Sequence, residues 1–144
     1  MTDNSLSLIS SIRDKSNNFI IKSLEKRGIS GIVPSHGKIL LTLNRYGSIT
    51  KSELAKEIGR EKATVTILIA KLIEHRYVIE KKNDIDKRKK ELFLTKEGKE
   101  FLTILKEISE EMFSIEYNGI SDIEREEFIK IINKINRNFS LISE

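Results

Sequence analysis

Apolar residues recur along this chain with two periods, and the change of period marks its elements. From about Ser5 to Arg27, Ile9, Ile12, Phe19 and Ile20 fall on one face of a helix, with Leu8 and Leu24 beside them. Gly28 and Gly31 break that pattern. Pro34 opens a second helix, where a missing N–H does no harm; Ile39, Leu40 and Leu43 point inward, and Gly47 ends it. Thr50 and Glu53 have the spacing of a capping box, in which each side chain satisfies an orphan backbone N–H. A short helix therefore starts at Thr50, with Leu54 and Ile58 on its apolar face and Gly59 supplying the positive φ that ends it. A fourth helix, 61–75, follows at once. Val65, Leu68, Ile69, Leu72 and Ile73 form its stripe, and Lys62, Thr64, Thr66, Ile67 and Lys71 lie off it. The period then shortens. Tyr77-Val78-Ile79 and Leu92-Phe93-Leu94 are runs of strand-forming residues, joined by EKKNDIDKRKKE, in which Asn83-Asp84 is turn chemistry. Thr95 caps a long helix running to about Tyr117, with Phe101, Leu105, Ile108, Met112 and Ile115 spaced by four and three. Asn118-Gly119 ends it, and Ser121 with Glu124 repeats the capping-box pattern. Phe128, Ile132, Ile135, Phe139 and Ile142 then make a near-heptad seam.

These elements predict a mainly α protein with a small β-hairpin wing. A winged helix-turn-helix domain, 31–98, is flanked by long dimerisation helices in 1–30 and 99–144. Two helices joined by so tight a Gly-containing turn form a DNA-binding pair, whose second helix enters the major groove. A chain of 144 residues with a winged helix in its middle does not need three further apolar-striped helices for itself. A monomer would leave those stripes exposed, and large exposed apolar patches mark interfaces. A homodimer is expected, the alternative being a helical bundle within one subunit.

Charge sharpens the picture. From Arg76 to Lys90 seven basic residues stand against three acids, an excess equal to the +4 of the whole chain. Such a local excess is the footprint of a phosphate-binding surface. Taken alone it equally suits a solvated edge hairpin whose lysines discourage aggregation; directly behind a helix-turn-helix, double-stranded DNA is the favoured partner. Lys82, Lys87 and Lys89 would meet phosphates, giving affinity without sequence. Arg60 and Lys62, at the start of helix 61–75, can meet phosphate or base edges, and Thr64 and Thr66 are short enough to approach bases. Lys71 belongs to the same candidate surface. Ile67 offers only apolar contact, for instance to a thymine methyl, unless it is packed and the register differs by one residue. The chain has no Cys and two His, so no disulfide, thiolate metal site or cofactor is expected. No nucleophile–base pair or Gly-rich phosphate loop points to an enzyme. No apolar run is long enough to span a bilayer, and MTDNSLSLIS lacks the basic start of a signal peptide, so a cytoplasmic protein with no membrane partner is expected.

Asp86-x-Arg88, followed by Leu94-Thr95 and Gly98, resembles the wing signature of the MarR (multiple antibiotic resistance regulator) family. ELAKEIG from Glu53, TVT from Thr64 and SHGKIL from Ser35 are similar to that family too, and the resemblance covers nearly the whole chain. It implies a homodimeric transcriptional regulator, usually a repressor, with interleaved terminal helices. Two recognition helices related by a twofold axis would read an inverted repeat about one helical turn apart. Arg88 would enter the flanking minor groove, where narrow A·T-rich sequence concentrates negative potential. Asp86 would orient its guanidinium by a charge-assisted hydrogen bond. The resemblance also implies a small aromatic or phenolic effector, bound where the dimer helices meet the DNA-binding lobe and acting by shifting the spacing of the recognition helices. His36 is near that place, although a lone His is more readily structural; His75 suits a helix end. Two departures stand out. Ile67 occupies a position where the family often carries Arg or another polar residue, and Glu61 one where it tends to have a Ser-like cap. The competing reading is a winged helix used for protein–protein contact, with a non-specific basic surface and little salt-dependent affinity for DNA.

Overall fold

The computed structural model describes residues 2–142. The elements run α1 (Ser5–Lys26), α2 (Pro34–Tyr46), β1 (Ile49–Thr50), α3 (Lys51–Ile58), α4 (Lys62–Glu74), β2 (Val78–Lys82), β3 (Lys90–Leu94), α5 (Lys96–Glu116) and α6 (Asp122–Ser140). The chain falls into two compact units that divide between Ser109 and Glu110.

In the first unit the expected caps are present. Thr50 Oγ accepts from the Glu53 amide at 3.2 Å, while Glu53 Oε2 accepts from the Thr50 amide at 3.0 Å. Gly59 closes α3 in the left-handed region at φ 67°. Glu61 is the N-cap of α4 but supplies no side-chain bond, so that end lacks the stabilisation a Ser or Asp would give. The far end of α4 is closed by Arg76 at φ 63°, an uncommon conformation for a residue with a Cβ. Thr95 holds it there: its hydroxyl donates to the Arg76 carbonyl at 2.6 Å, and its amide donates to the Tyr77 carbonyl at 3.0 Å. The same hydroxyl accepts from the Gly98 amide at 2.9 Å, which caps α5.

The wing is more than the expected hairpin. Ile49 and Thr50 pair with Leu92 and Glu91, so the sheet has three antiparallel strands in the order β1-β3-β2, with β3 in the middle. Two residues are too short to show a period, and Thr50 doubles as the cap of α3, which hides the strand in the sequence.

The core gathers Leu24, Ile39, Leu40, Leu43, Leu54, Val65, Ile69, Leu72, Val78, Leu92, Phe101 and Ile108. The end of α1 and the first half of α5 thus belong to the same core as 31–98. The stripe of α4 is narrower than expected, because Ile73 is 40% exposed. It lies roughly 40° around the helix beyond Ile69, the edge of the arc of Leu72, Val65 and Ile69.

In the second unit, α6 starts at the expected capping box: Ser121 Oγ accepts from the Glu124 amide at 3.3 Å and Glu124 Oε2 from the Ser121 amide at 2.8 Å. The Arg125 guanidinium sits 5.6 Å from the ring centres of both Phe113 and Tyr117. No residue of α6 is buried. Residues 1, 143 and 144 of the expected dimerisation region lie outside the described residues. Among the described residues, no helix is long and apolar enough to cross a membrane.

Candidate nucleic-acid interface

The start of α4, the first turn of α3 and the wing enclose an open cleft of about 590 Å³. It brings Lys62 and Thr66 of α4 together with Arg88, Lys89 and Lys90 of the wing, and adds Lys51 and Ser52 from α3. Lys51 also pairs with Glu80 at 3.3 Å, both mostly covered, which ties α3 to β2 and fixes the wing beside the helix. Glu53 stands in the same cleft as a carboxylate. Its pKa lies below the usual range, chiefly because the Thr50 amide donates to it, with Lys89 and Lys56 adding smaller effects.

The wing turn is fastened internally. Asn83 Oδ1 accepts from the amides of Ile85 and Asp86 at 2.8 and 3.0 Å, an Asx turn. Asp86 Oδ1 accepts from the Arg88 amide at 3.1 Å and from Arg88 Nε at 3.2 Å. The Arg88 side chain is 93% exposed, so the pair adds little stability; what it does is aim the guanidinium. At the mouth of the turn Lys82 lies directly opposite Lys90 across the strands. Like charges in that position destabilise a sheet, and a bound polyanion would relieve them. Lys82, Lys87 and Lys89 are all exposed.

Two of the candidate residues, Arg60 and Lys71, turn to other partners. Arg60 Nη2 donates to Ser35 Oγ at 3.3 Å, toward the start of α2. Lys71 runs past Gly31 in the α1–α2 turn and pairs with Glu74 at 3.3 Å. Thr64 is half-buried. Thr66 stays exposed, its hydroxyl donating to the Lys62 carbonyl at 2.9 Å. Ile67 is 73% exposed, which decides against a packed residue and a shifted register. His36 is buried in the first turn of α2, where its Nδ1 accepts from the Val33 amide at 2.9 Å. Its Nε2 is buried with no hydrogen-bond partner among the described residues. Burial holds its pKa below the ordinary value of 6.5, and His75 and Lys71 reinforce this. His75 stacks on Tyr77 at 5.4 Å, and Tyr77 on Phe101 at 4.4 Å. Among the described residues, no group of three or more His, Cys, Asp or Glu is placed to hold a metal ion.

Lys51, Ser52 and Lys90 were not singled out as contacts by sequence pattern. The signal for Lys51 and Ser52 was their place just after the Thr50 cap, where a helix presents unpaired N–H groups.

Residues 32–90 match the model of the MarR family. No curated protein sequence matches the chain. A solved MarR transcriptional regulator from Methanosarcina mazei Go1 is 26% identical, with 94% of this chain and 96% of that one covered at a TM-score of 0.76. A cysteine-to-serine mutant of E. coli MarR, solved in complex with operator DNA, is 18% identical at a TM-score of 0.77, covering 93% and 99%. Bordetella bronchiseptica BpsR, whose DNA binding is regulated by 6-hydroxynicotinic acid, is 17% identical at a TM-score of 0.75, covering 90% and 91%.

Proposed function

We propose that the chain, whose residues 32–90 match the MarR family model and which is 26% identical to a MarR transcriptional regulator, is a DNA-binding transcriptional regulator of that family, two copies of which form a homodimer that reads an inverted repeat and represses transcription in the cytoplasm, carrying out no reaction of its own. The observation that carries this reading is the cleft in which Lys62 and Thr66 of the recognition helix face Arg88, Lys89 and Lys90 of the wing. A helix seated in the major groove would then place the wing over the flanking minor groove. Thr66 and the exposed Ile67 would approach base edges, Ile67 by apolar contact with a thymine methyl. Arg88, aimed by Asp86, would enter the minor groove, and Lys51, Lys62, Lys82, Lys87, Lys89 and Lys90 would meet phosphates. Arg60, Thr64 and Lys71 are not needed for this contact. The second copy is supported by the uncovered apolar side chains of α6, among them Ile123, Phe128 and Ile131. Release by a small aromatic or phenolic effector extends to this chain the ligand control of BpsR, a relative in fold.

Selection of bound duplexes from a random pool at two salt concentrations, beside Arg88→Ala, tests the reading. The expected product is an inverted repeat with half-sites about one turn apart. Arg88→Ala should lose the flanking A·T preference and about tenfold in affinity. A pool without enrichment, with weak binding abolished by salt, would leave a basic protein–protein module instead. Added to a transcription reaction on a promoter bearing the selected site, the protein should lower the yield; a rise would make it an activator.

A further inference from the structure

The tip of the wing holds a side chain that neither the fold nor phosphate binding uses. Ile85 is 98% exposed, more than any other large apolar residue among those described. It is nevertheless held in place. Its amide donates to Asn83 Oδ1 at 2.8 Å, and the next amide, of Asp86, donates to the same oxygen at 3.0 Å. The turn therefore uses the backbone of Ile85 and asks nothing of its side chain, so a polar residue would build the same turn with better solvation. Along the wing Lys82 precedes it and Lys87, Arg88, Lys89 and Lys90 follow it, against the carboxylates of Asp84 and Asp86, and that of Asp86 is paired with Arg88.

An apolar point on a strongly basic hairpin suits an occupant that is a polyanion with apolar surface between its charges. The minor groove of duplex DNA has that chemistry: phosphates along both rims, with sugars and base edges between them. Branched apolar side chains inserted there act as wedges that part neighbouring base pairs and kink the duplex. The cost is least at pyrimidine–purine steps, which unstack easily. We infer that Ile85 is a minor-groove wedge, entering beside Arg88 and opening one base step on the flank of each half-site. The wing then bends its DNA as well as gripping it, and reads a flexible step without any hydrogen bond to a base. This inference rests on the DNA-binding reading above.

The test uses a duplex recovered by the selection, with 2-aminopurine replacing single flanking adenines and a dye pair on its ends. Wild-type protein should raise 2-aminopurine fluorescence at one flanking step and shorten the end-to-end distance. Ile85→Ala should abolish both signals and weaken binding about 50-fold, the scale set by three lost apolar carbons. Its salt dependence should match wild type, since no phosphate contact is removed. Ile85→Met, still an apolar wedge, should keep both signals. Lys87→Ala should do the reverse of Ile85→Ala, lowering the salt slope by about two, one contact for each wing of the dimer, and leaving the fluorescence response intact. Wild-type affinity and fluorescence in Ile85→Ala would overturn the wedge alone. So would a changed sedimentation of free Ile85→Ala, which would assign the residue to a contact between copies. If wild type enriches no duplex at all, the DNA-binding reading fails first and takes the wedge with it.

Discussion

The two units of the chain use equally regular apolar patterns to opposite ends. Every buried apolar residue among those described lies in the first unit, the last being Ile108. In the second unit α6 repeats its apolar residues just as regularly, yet buries none: Phe128 and Phe139 are 45% and 56% exposed, and Ile142, just beyond the helix, is 81% exposed. The first half of α1 behaves like α6, with Leu8 and Ile12 exposed. A period of three and four says that a helix has a face to cover; it does not say which chain covers it. In the winged-helix core the cover is local, built from α2, α3, α4 and the sheet. For α6, in the function proposed here, it is the second copy.

The largest expected effect comes from breaking the second unit. Phe128→Glu combined with Ile135→Glu places two charges on the α6 seam without touching the core of the first unit. Sedimentation should show a monomer, and circular dichroism should show the helices of the first unit retained. Affinity for the selected inverted repeat should fall by about 100-fold or more, because each half-site is then bound without its tether. A double variant that remains a dimer and binds the repeat at full strength would place the interface elsewhere.

What the sequence made legible follows the same division. Local signals were readable: both capping boxes, Gly59 as a helix end, and the Asn83 turn all appear where their residue types place them. β1 was not, because two residues carry no period and its pairing with β3 is a long-range event. The periodicity of α4 separated buried from exposed positions at Val65, Ile69 and Leu72, and it put Ile67 outside. It did not tell which flank of the exposed face the wing would cover. Lys62 and Thr66 prove to share the cleft with Arg88, whereas Lys71, on the opposite flank, lies against the α1–α2 turn. That choice is made by Lys51–Glu80 and the three-stranded sheet, contacts between elements far apart in sequence. The Arg60–Ser35 bond is of the same kind.

A second perturbation breaks the first unit from within. Gly98 is buried in the first turn of α5, and a Cβ built there would run into the Tyr77 carbonyl oxygen. That carbonyl also accepts from the Thr95 amide, so it cannot simply turn away. Gly98→Ala should destabilise the first unit by about 1–3 kcal/mol, as overpacking does in a close-packed core, measured by urea unfolding. Association through α6 should persist, since its exposed seam is untouched. An unchanged urea midpoint would mean that the junction between β2 and α5 yields more easily than its hydrogen bonds indicate.

The smallest effect is a matter of pH. His36 is buried beside Lys71 and His75, its Nδ1 accepts the Val33 amide, and burial holds its pKa below 6.5. The folded protein therefore binds fewer protons at this site than the unfolded chain, in which the ring titrates normally. Stability must then rise with pH across the interval between the depressed folded value and 6.5. Above that interval the ring is neutral in both states and contributes no slope; as pH falls through it, protonation favours the unfolded chain. His36→Gln keeps an acceptor at the third position of α2, where Gln serves a capping box, and removes the titration. At about pH 8 its stability should lie within about 1 kcal/mol of wild type, as an acceptor-preserving exchange allows. From about pH 6.5 down to about pH 5 its unfolding midpoint should fall less steeply than that of the wild type. Parallel midpoints across that range would mean that the ring takes up its proton in the folded protein as readily as in the unfolded chain. His36 would then be a cap for α2 without any sensitivity to acid.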